Sequence, residues 1–588
     1  MTSVHPHPDP PPEGGGNRRT RLLDAALAVA LFALGLAFRA TFIRQGFNPT
    51  DEGWLLSAGQ RIVSGQVLYR DFDISLPPFS PYKVAALLTL FGDGYTVLAA
   101  RWAFVVEATL GSVLAYVIIR RFAGPGTAFL VTIPTVFFSV LFYYFDNYTY
   151  DGEILLLGAV ALLVHSRLGA RTPLALAGIL AGLAILAKPT FLLFIPVVLL
   201  LRPVTWVLTA APPSPLEAAV AGGWRWFLAG CALGLAPAFV YFGLAGAEPR
   251  FLYDAVVLPA QAHPVALDYL IWQDMPRLFN VLHDAVFAGM LLLIFRAAAQ
   301  SGTAVRVAGL CLAVVLPVLL VILVLRVRPS AMLLLTLGLL LVLGIAAAVA
   351  ARWRQYLPAG LALLGLALQY MAQLGFSGVG LSYLGAYLSV PVAGLFLVKL
   401  GPGRNPLTVR ERALVLAPAV LLSAFLVWLS VDVVSRSVYR DAPRAQLTAS
   451  FATPKLAGVL STQAQVQQID EVVAIVDQYS KPGDPIFVMP DFPILYYLTG
   501  RTNPTRQDWY FPWTITEADS RQAVLDLERH PPRLALIQVY DAAEIDPARR
   551  APIDYQAVSV WKPIYDYLTA NYTLVGERAG LLVYVPRT

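Results

Sequence analysis

"FNPTDEGWLLSAGQRIVSGQVLYRDFD", residues 47–73, follows directly on an apolar run from Leu22 to Ile43. That run is long enough to cross about 30 Å of hydrocarbon as a helix. The segment after it carries Asp51, Glu52, Arg61, Arg70, Asp71 and Asp73. Acidic groups beside a bilayer are costly unless they are paired, solvated or put to use. Their meaning therefore depends on how the chain lies in the membrane.

The apolar pattern repeats along the chain. Of 588 residues, 57% are hydrophobic and 14% charged, and the mean hydropathy is +0.64. A soluble chain carries roughly a quarter charged residues. Apolar runs near 22–43, 95–119, 126–144, 150–166, 173–187, 190–201, 226–246, 281–299, 307–325, 330–350, 356–374, 379–398 and 413–432 read as spans, about thirteen in all. The short pair 173–187 and 190–201 also fits one kinked unit. The stretch Pro78–Phe91 is apolar but interrupted by Pro81 and Lys83, which marks an interfacial helix. The class is a polytopic α-helical membrane protein.

Lys and Arg in short loops set the orientation. Arg18, Arg19 and Arg21 precede the first span and place the N-terminus in the cytoplasm. Every second loop then carries basic residues: Arg120 and Arg121, Arg167 and Arg171, Arg202, Arg296 and Arg306, Arg352 and Arg354, and Lys399 to Arg412. An odd number of spans fits this alternation and an even number breaks it. The C-terminus and the loop 44–94 are thus expected outside a plasma (inner) membrane. The net charge of +6 is mainly this topology signal and gives no support to a nucleic-acid partner.

The ends differ in kind. Residues 1–20 are rich in Pro, Gly and His and are expected to be a disordered cytoplasmic tail. The first apolar run lacks a small-residue cleavage site and is expected to remain as a span. Residues 21–436 form the membrane domain. From about 437 the composition turns ordinary, and 437–588 is expected to be an extracytoplasmic α/β domain. There "DPIFVMP", "RLALIQV" and "LLVYVP" read as strands, and 464–479 and 516–529 as helices, the second capped by Thr516. Cys231 and Cys311 lie in spans without metal spacing and read as packing residues. No P-loop, GxGxxG, HExxH or GxSxG occurs, which removes support for ATP-driven transport and the common hydrolases.

The outer loops collect the polar groups. The first supplies Asp51, Glu52, Arg70, Asp71 and Lys83, and the second Asp146, Asp151 and Glu153. Lys188 stands at the "AKPTF" corner, His263 in the loop 247–280, and Arg326 and Arg328 at a membrane boundary. Carboxylates and cations sharing one interface suit an anionic lipid head group with acid–base chemistry beside it. No nucleotide-sugar pool exists outside the cytoplasm, so a group-transfer enzyme there needs its donor delivered by lipid. With a polyprenyl-phosphate sugar, Arg or Lys would stabilise the leaving phosphate. One carboxylate would deprotonate the acceptor hydroxyl, and direct displacement would invert C1. Asp51 is well placed for that role.

The segment "TDEGWLLSAGQRIVSGQVLYRDFDISLPPFSPY" resembles the first outer loop of GT-C glycosyltransferases, nearest to the protein O-mannosyltransferase and aminoarabinose-transferase relatives. Asp51-Glu52, Gly65, Tyr69, Asp71 and Pro77-Pro78 fit that pattern. "TYDGEILLL" and "GLAILAKPTFLLFIP" add to it over residues 20–210. The resemblance implies a hexosyl or pentosyl transferase of the cell envelope. Asp51 would be the catalytic base, with Glu52 and Asp151 orienting acceptor or donor. Arg70, Asp71, Lys83, Lys188, His263, Arg326 and Arg328 would be substrate contacts. Leu76 stands where many relatives have a phosphate-binding Lys before Pro-Pro, so that contact passes to Lys83, Lys188 or Arg326 and Arg328. The Trp-Trp-Asp hallmark of oligosaccharyltransferases is absent from the C-terminal part.

A divalent cation held by Asp51 and Asp151 is compatible with the set, and some relatives need none, so no cofactor is assigned. The acceptor is a lipid, a glycan or a protein. Asp491, Arg501 and Asp508 lie in the Tyr- and Trp-rich middle of the C-terminal domain and are expected to influence acceptor choice. Each group also has a plain structural reading: Asp51 as a helix cap, Glu52 as a first-turn acid, Lys188 as a snorkelling helix end. Two other classes compete with the enzyme. A lipid-linked-sugar flippase would show inverted repeats and midplane charges; no convincing repeat is visible, and the loop acids cluster at one face. A non-enzymatic glycan assembly factor would leave Asp51-Glu52 unexplained.

Overall fold

The computed structural model describes residues 18–138, 144–166, 171–200, 215–257, 441–511, 515–539 and 555–587 except 557, with scattered positions between 364 and 439. The membrane part opens with α1 (Arg18–Ala40), α2 (Asp51–Val63), α3 (Phe79–Phe91) and α4 (Val97–Arg120). It continues with α5 (Pro125–Phe138), α6 (Tyr148–His165), α7 (Arg171–Ile185) and α8 (Pro215–Leu244). Among the described residues, three helices are long and apolar enough to cross a membrane: α1, α4 and the Gly223–Leu244 part of α8. The expected spans 281–299, 307–325 and 330–350 lie outside the described residues, with most of 356–374, 379–398 and 413–432. The tail 1–17 and Cys311 lie outside them too.

Membrane helices gain little from burying apolar surface against one another, so they rely on close contact and on polar pairs. Both are present. Gly178 and Gly182 of α7 face Gly230 and Gly234 of α8, and a Cβ at Gly178 would meet the Phe227 carbonyl oxygen at 2.0 Å. This spacing of small residues lets the two backbones touch, with Cys231 buried in the seam. At the end of α1, the fully buried Arg39 donates to Thr109 Oγ1 of α4 at 2.8 Å and to the Thr135 carbonyl of α5 at 3.4 Å. A charge placed there is costly unless donors and acceptors match around it.

The loop between α1 and α4 folds into two helices. α2 carries Leu55, Leu56 and Ala58 on its buried side, and α3 starts at Phe79, directly after Pro77-Pro78. The Phe79 amide donates to the Leu186 carbonyl at 3.0 Å, tying α3 to the corner after α7.

The C-terminal part holds α9 (Gln463–Tyr479), β1 (Ile486–Met489), α10 (Ile494–Thr499), α11 (Glu517–Arg529), β2 (Leu534–Gln538), α12 (Lys562–Asn571), β3 (Tyr572–Arg578) and β4 (Leu581–Pro586). The sheet order is β1-β2-β4-β3. β1 and β2 run parallel, with Ile486 opposite Leu534, and the other pairs are antiparallel. Continuous apolar runs in β1 and β2 follow from burial on both faces. Ile486 and Val488 face a cluster with Val472 and Val476 of α9, and Phe487 and Met489 face Leu527 of α11 and Ile564 and Leu568 of α12. Thr516 caps α11 in a reciprocal capping box with Asp519. β3 escaped the reading because it is an edge strand with a mostly exposed pattern and an irregular register between Leu574 and Gly576.

α2 belongs to both parts. Its Leu55 and Leu56 share one apolar cluster with Ile494 and Leu495 of α10 and with Ile486 and Leu534 of the sheet. Gly53 permits the approach, since a Cβ there would stand 2.4 Å from the Ile494 amide nitrogen. Trp54 packs on Trp509 with ring centroids 4.1 Å apart. At the far end of α2, Arg61 donates to Asp508 Oδ1 at 2.7 Å and to the Thr505 carbonyl at 2.8 Å, and Ser57 and Asn503 donate to the same carboxylate. Removing one partner of a buried pair leaves the other charged and unmatched, at a cost of about 3–5 kcal/mol. Asp508→Ala is therefore expected to lower the thermal midpoint of the purified protein by several degrees. A midpoint equal to that of wild type would show that the pair does not hold the joint.

Candidate active site

Asp51 owes its position to the three residues before it. Asn48 Oδ1 accepts from the amides of Thr50 and Asp51 at 3.0 Å each, and its Nδ2 donates to Asp51 Oδ2 at 3.0 Å. This side-chain turn makes Asp51 the first residue of α2 rather than its cap. The half-buried carboxylate stands at the positive end of the helix, where an acid is favoured. Across Thr50 lies a residue of the C-terminal part. The Thr50 hydroxyl faces the Asp491 carbonyl at 3.0 Å and its Oδ2 at 3.1 Å.

Glu52 is spent on structure. Arg101 of α4 grips both its oxygens, Nε to Oε1 at 2.7 Å and NH2 to Oε2 at 2.8 Å. The same guanidinium donates to the carbonyls of Ile43 and Gly46 and lies over the Tyr144 ring. Arg101 is 0% and Glu52 4% exposed. Burial holds the Glu52 carboxyl above its usual range, against the opposing pull of Arg101. The first-turn acid thus bolts α2 to α4 and to the end of α1.

Asp151, at the start of α6, joins a different cluster. Lys83 of α3 donates to Glu107 Oε2 and Asp146 Oδ1 at 2.8 Å each, and also to Asp151 Oδ1. Ser80 donates to Asp151 Oδ2. Burial, with the neighbouring Asp151 charge, pushes the Asp146 carboxyl up to about 6. Oxygens of Glu107, Asp146 and Asp151 lie within 4.8 Å of one another, and Asp51 is not among them. Such an oxygen set suits a hard divalent ion. The Lys83 ammonium, however, already bonds all three carboxylates. An ion and the ammonium cannot share that space, so the residues do not fit a metal while Lys83 is in place.

The remaining expected contacts separate. Arg70 and Asp71 pair with each other at 2.7 and 2.9 Å on the surface, and Asp71 also accepts from the Val67 amide at 2.7 Å. Lys188 is buried and feels Glu153 rather than Asp151. His263, Arg326 and Arg328 lie outside the described residues. In the C-terminal part, Arg501 donates to the carbonyls of Thr499 and Ser480 at 2.6 Å each, so with Asp508 it belongs to the framework, and only Asp491 borders the Asp51 turn. Sequence reasoning missed Arg101 and Glu107. Their signal was available: both are ionisable residues inside an apolar span, where such groups are rare unless they have partners or a function.

Comparison with known proteins follows this geometry. No family model and no curated protein matches the chain. Among solved structures, the Archaeoglobus fulgidus oligosaccharyltransferase tethered with an acceptor peptide containing the NVT sequon aligns with a TM-score of 0.51 at 13% identity, over 97% of this chain and 74% of that chain. Its apo form gives 0.50 at 13% identity, over 97% and 75%. ArnT from Cupriavidus metallidurans in the apo state gives 0.41 at 13% identity, over 96% and 97%, which adds nothing to the assignment. The chain has the fold of the archaeal oligosaccharyltransferase, a GT-C fold.

Lys83→Met removes the internal cation and leaves the three carboxylates facing one another. Isothermal titration is expected to show Mn²⁺ binding to Lys83→Met and none at this cluster in wild type. Binding to wild type that is lost in Asp146→Asn would overturn the reading of Lys83 as the resident cation.

Proposed function

We propose that the chain is an integral membrane glycosyltransferase that moves a hexosyl or pentosyl group from polyprenyl phosphate to an acceptor hydroxyl at the extracytoplasmic face. The observation that carries this reading is Asp51, a half-buried carboxylate on the first turn of an outer-loop helix in a GT-C fold. The acceptor oxygen bonds to the sugar C1 as the bond from C1 to the phosphate oxygen breaks, its electron pair leaving with the phosphate. Asp51 takes the hydroxyl proton as general base, and C1 inverts.

The other acids act at a distance. Glu52 positions Asp51 through Arg101, and Asp151 positions α3 through Lys83 and Ser80. The charge on the leaving phosphate needs a cation. Lys188, Arg326 and Arg328 are proposed for that contact, because Lys83 is taken up by three carboxylates. Arg70, Asp71 and His263 are retained as proposed substrate contacts, and residues 437–588 as the unit that selects the acceptor. No step is routed through a metal.

Asp51→Asn keeps the size of the side chain and the Asn48 turn, so folding should change little. Loss of a general base slows turnover by about 10²–10⁴-fold. Transfer from a polyprenyl-phosphate sugar by purified Asp51→Asn protein at near wild-type rate would exclude the mechanism. The proposed sidedness has its own check. A reporter fused after Thr588 is expected to be active outside the plasma membrane, and one fused within 203–222 inside. Activity of both on one side would remove Asp51 from the extracytoplasmic face.

A further inference from the structure

Where the first outer loop, the helical turn Glu248–Leu252 and α11 meet, the structure holds a cavity of about 420 Å³. We propose that this cavity binds a hydroxyl-rich, non-anionic glycan, the acceptor of the transfer; the word acceptor rests on the function proposed above, the binding site does not.

The back wall is an ion-pair lattice. Asp73, almost fully buried, accepts from Arg506 at 2.9 and 2.8 Å and pairs with Arg250 at 3.3 Å. Arg250 also pairs with Asp254 at 2.9 Å and with Asp519 at 3.3 Å. Both guanidiniums are thus neutralised by acids that already hold them. The side wall is one face of α11, formed by Ala518, Asp519, Gln522, Ala523 and Asp526. Gln522 Nε2 donates to Asp526 Oδ1 at 2.8 Å. The other oxygen, Asp526 Oδ2, is buried and accepts no hydrogen bond among the described residues.

These features choose the ligand chemistry. The lining carries Arg250 and Arg506 against Asp73, Asp519 and Asp526, so a phosphate or uronate would meet an excess of negative charge. Ala518, Ala523, the Tyr510 ring and the aliphatic stems of the longer polar side chains add apolar surface, against which the C–H faces of sugar rings can pack. Glutamine amides that both donate and accept, a waiting carboxylate oxygen and guanidinium donors match hydroxyls, which also do both. The volume falls within the roughly 300–1,000 Å³ of small-ligand pockets. Its position also fits an acceptor. Arg506 and Gln507 line it, and Trp509, two residues on from Gln507, packs on Trp54 in the first turn of α2, the turn that begins with Asp51. One short strand of chain therefore joins the cavity to the base.

The test uses full-length protein in detergent and saturation-transfer NMR with four probes: maltotriose, cellotriose, mannotriose and, as the anionic control, trigalacturonate. Two variants address the cavity. Gln522→Ala removes a polar contact, and Ala518→Trp places a large ring on the cavity wall from an exposed position; melting curves confirm that both fold. The expected result is binding of at least one neutral trisaccharide to wild type, weakened about tenfold or more in both variants. No binding of any neutral probe, binding indifferent to both variants, or equal binding of trigalacturonate would overturn the proposal. Binding does not require turnover, so a failure of the transferase mechanism, read from Asp51→Asn kinetics, is separate from a failure of the cavity.

Discussion

The buried pair between Glu52 and Arg101 is the interaction on which the rest of this arrangement depends. Two charges taken out of water cost several kcal/mol each, and their mutual attraction offsets this only when the remaining donors are also matched. Here they are. Arg101 divides its guanidinium between both oxygens of Glu52 and the carbonyls of Ile43 and Gly46, with the Tyr144 ring against its face. The segment just after α1, the start of α2 and the start of α4 are thereby fixed to one planar group. Asp51 is the residue next to Glu52, so its location follows from a contact in which it takes no part.

The same helix is gripped at its other end by Asp508 from the C-terminal part. With Gly53 against Ile494 and Trp54 against Trp509 between these two grips, α2 lies as a shared wall rather than as a loop on a membrane domain. The C-terminal sheet, its helices and the outer loop are consequently one packed body. Asp491 beside Thr50 and the polar cavity beside Asp73 both arise at this joint, and neither part would form them alone. The small α/β unit thus supplies one wall of this joint and the loop after α1 the other.

Much of this was legible in the sequence, for reasons of period and polarity. Apolar runs of membrane length announced α1, α4 and α8. Runs buried on both faces announced β1 and β2, and Thr516 announced the start of α11, because a cap is a local contact between residues three apart. Pro77-Pro78 marked the start of α3 through the resemblance to the GT-C first loop. The edge strand β3 and the short helices α10 and α12 were not legible, since their form is imposed by neighbours rather than by their own pattern.

The sequence by itself determined the class of protein, the order of its elements and the presence of acids in the loop after the first span. It could not assign partners to those acids. Glu52 and Arg101 are far apart in the chain, as are Lys83 and Asp151 or Arg61 and Asp508, and charge alone would have allowed several other matches, including Asp151 with Lys188. Only the tertiary structure decided that Lys83 sits among Glu107, Asp146 and Asp151, that Arg70 and Asp71 satisfy each other, and that Asp51 stands apart from the acidic cluster. The physical reason is range. Hydrophobic period and capping are written between near neighbours in the chain, whereas the pairing of buried charges is settled by which helices their apolar faces bring together.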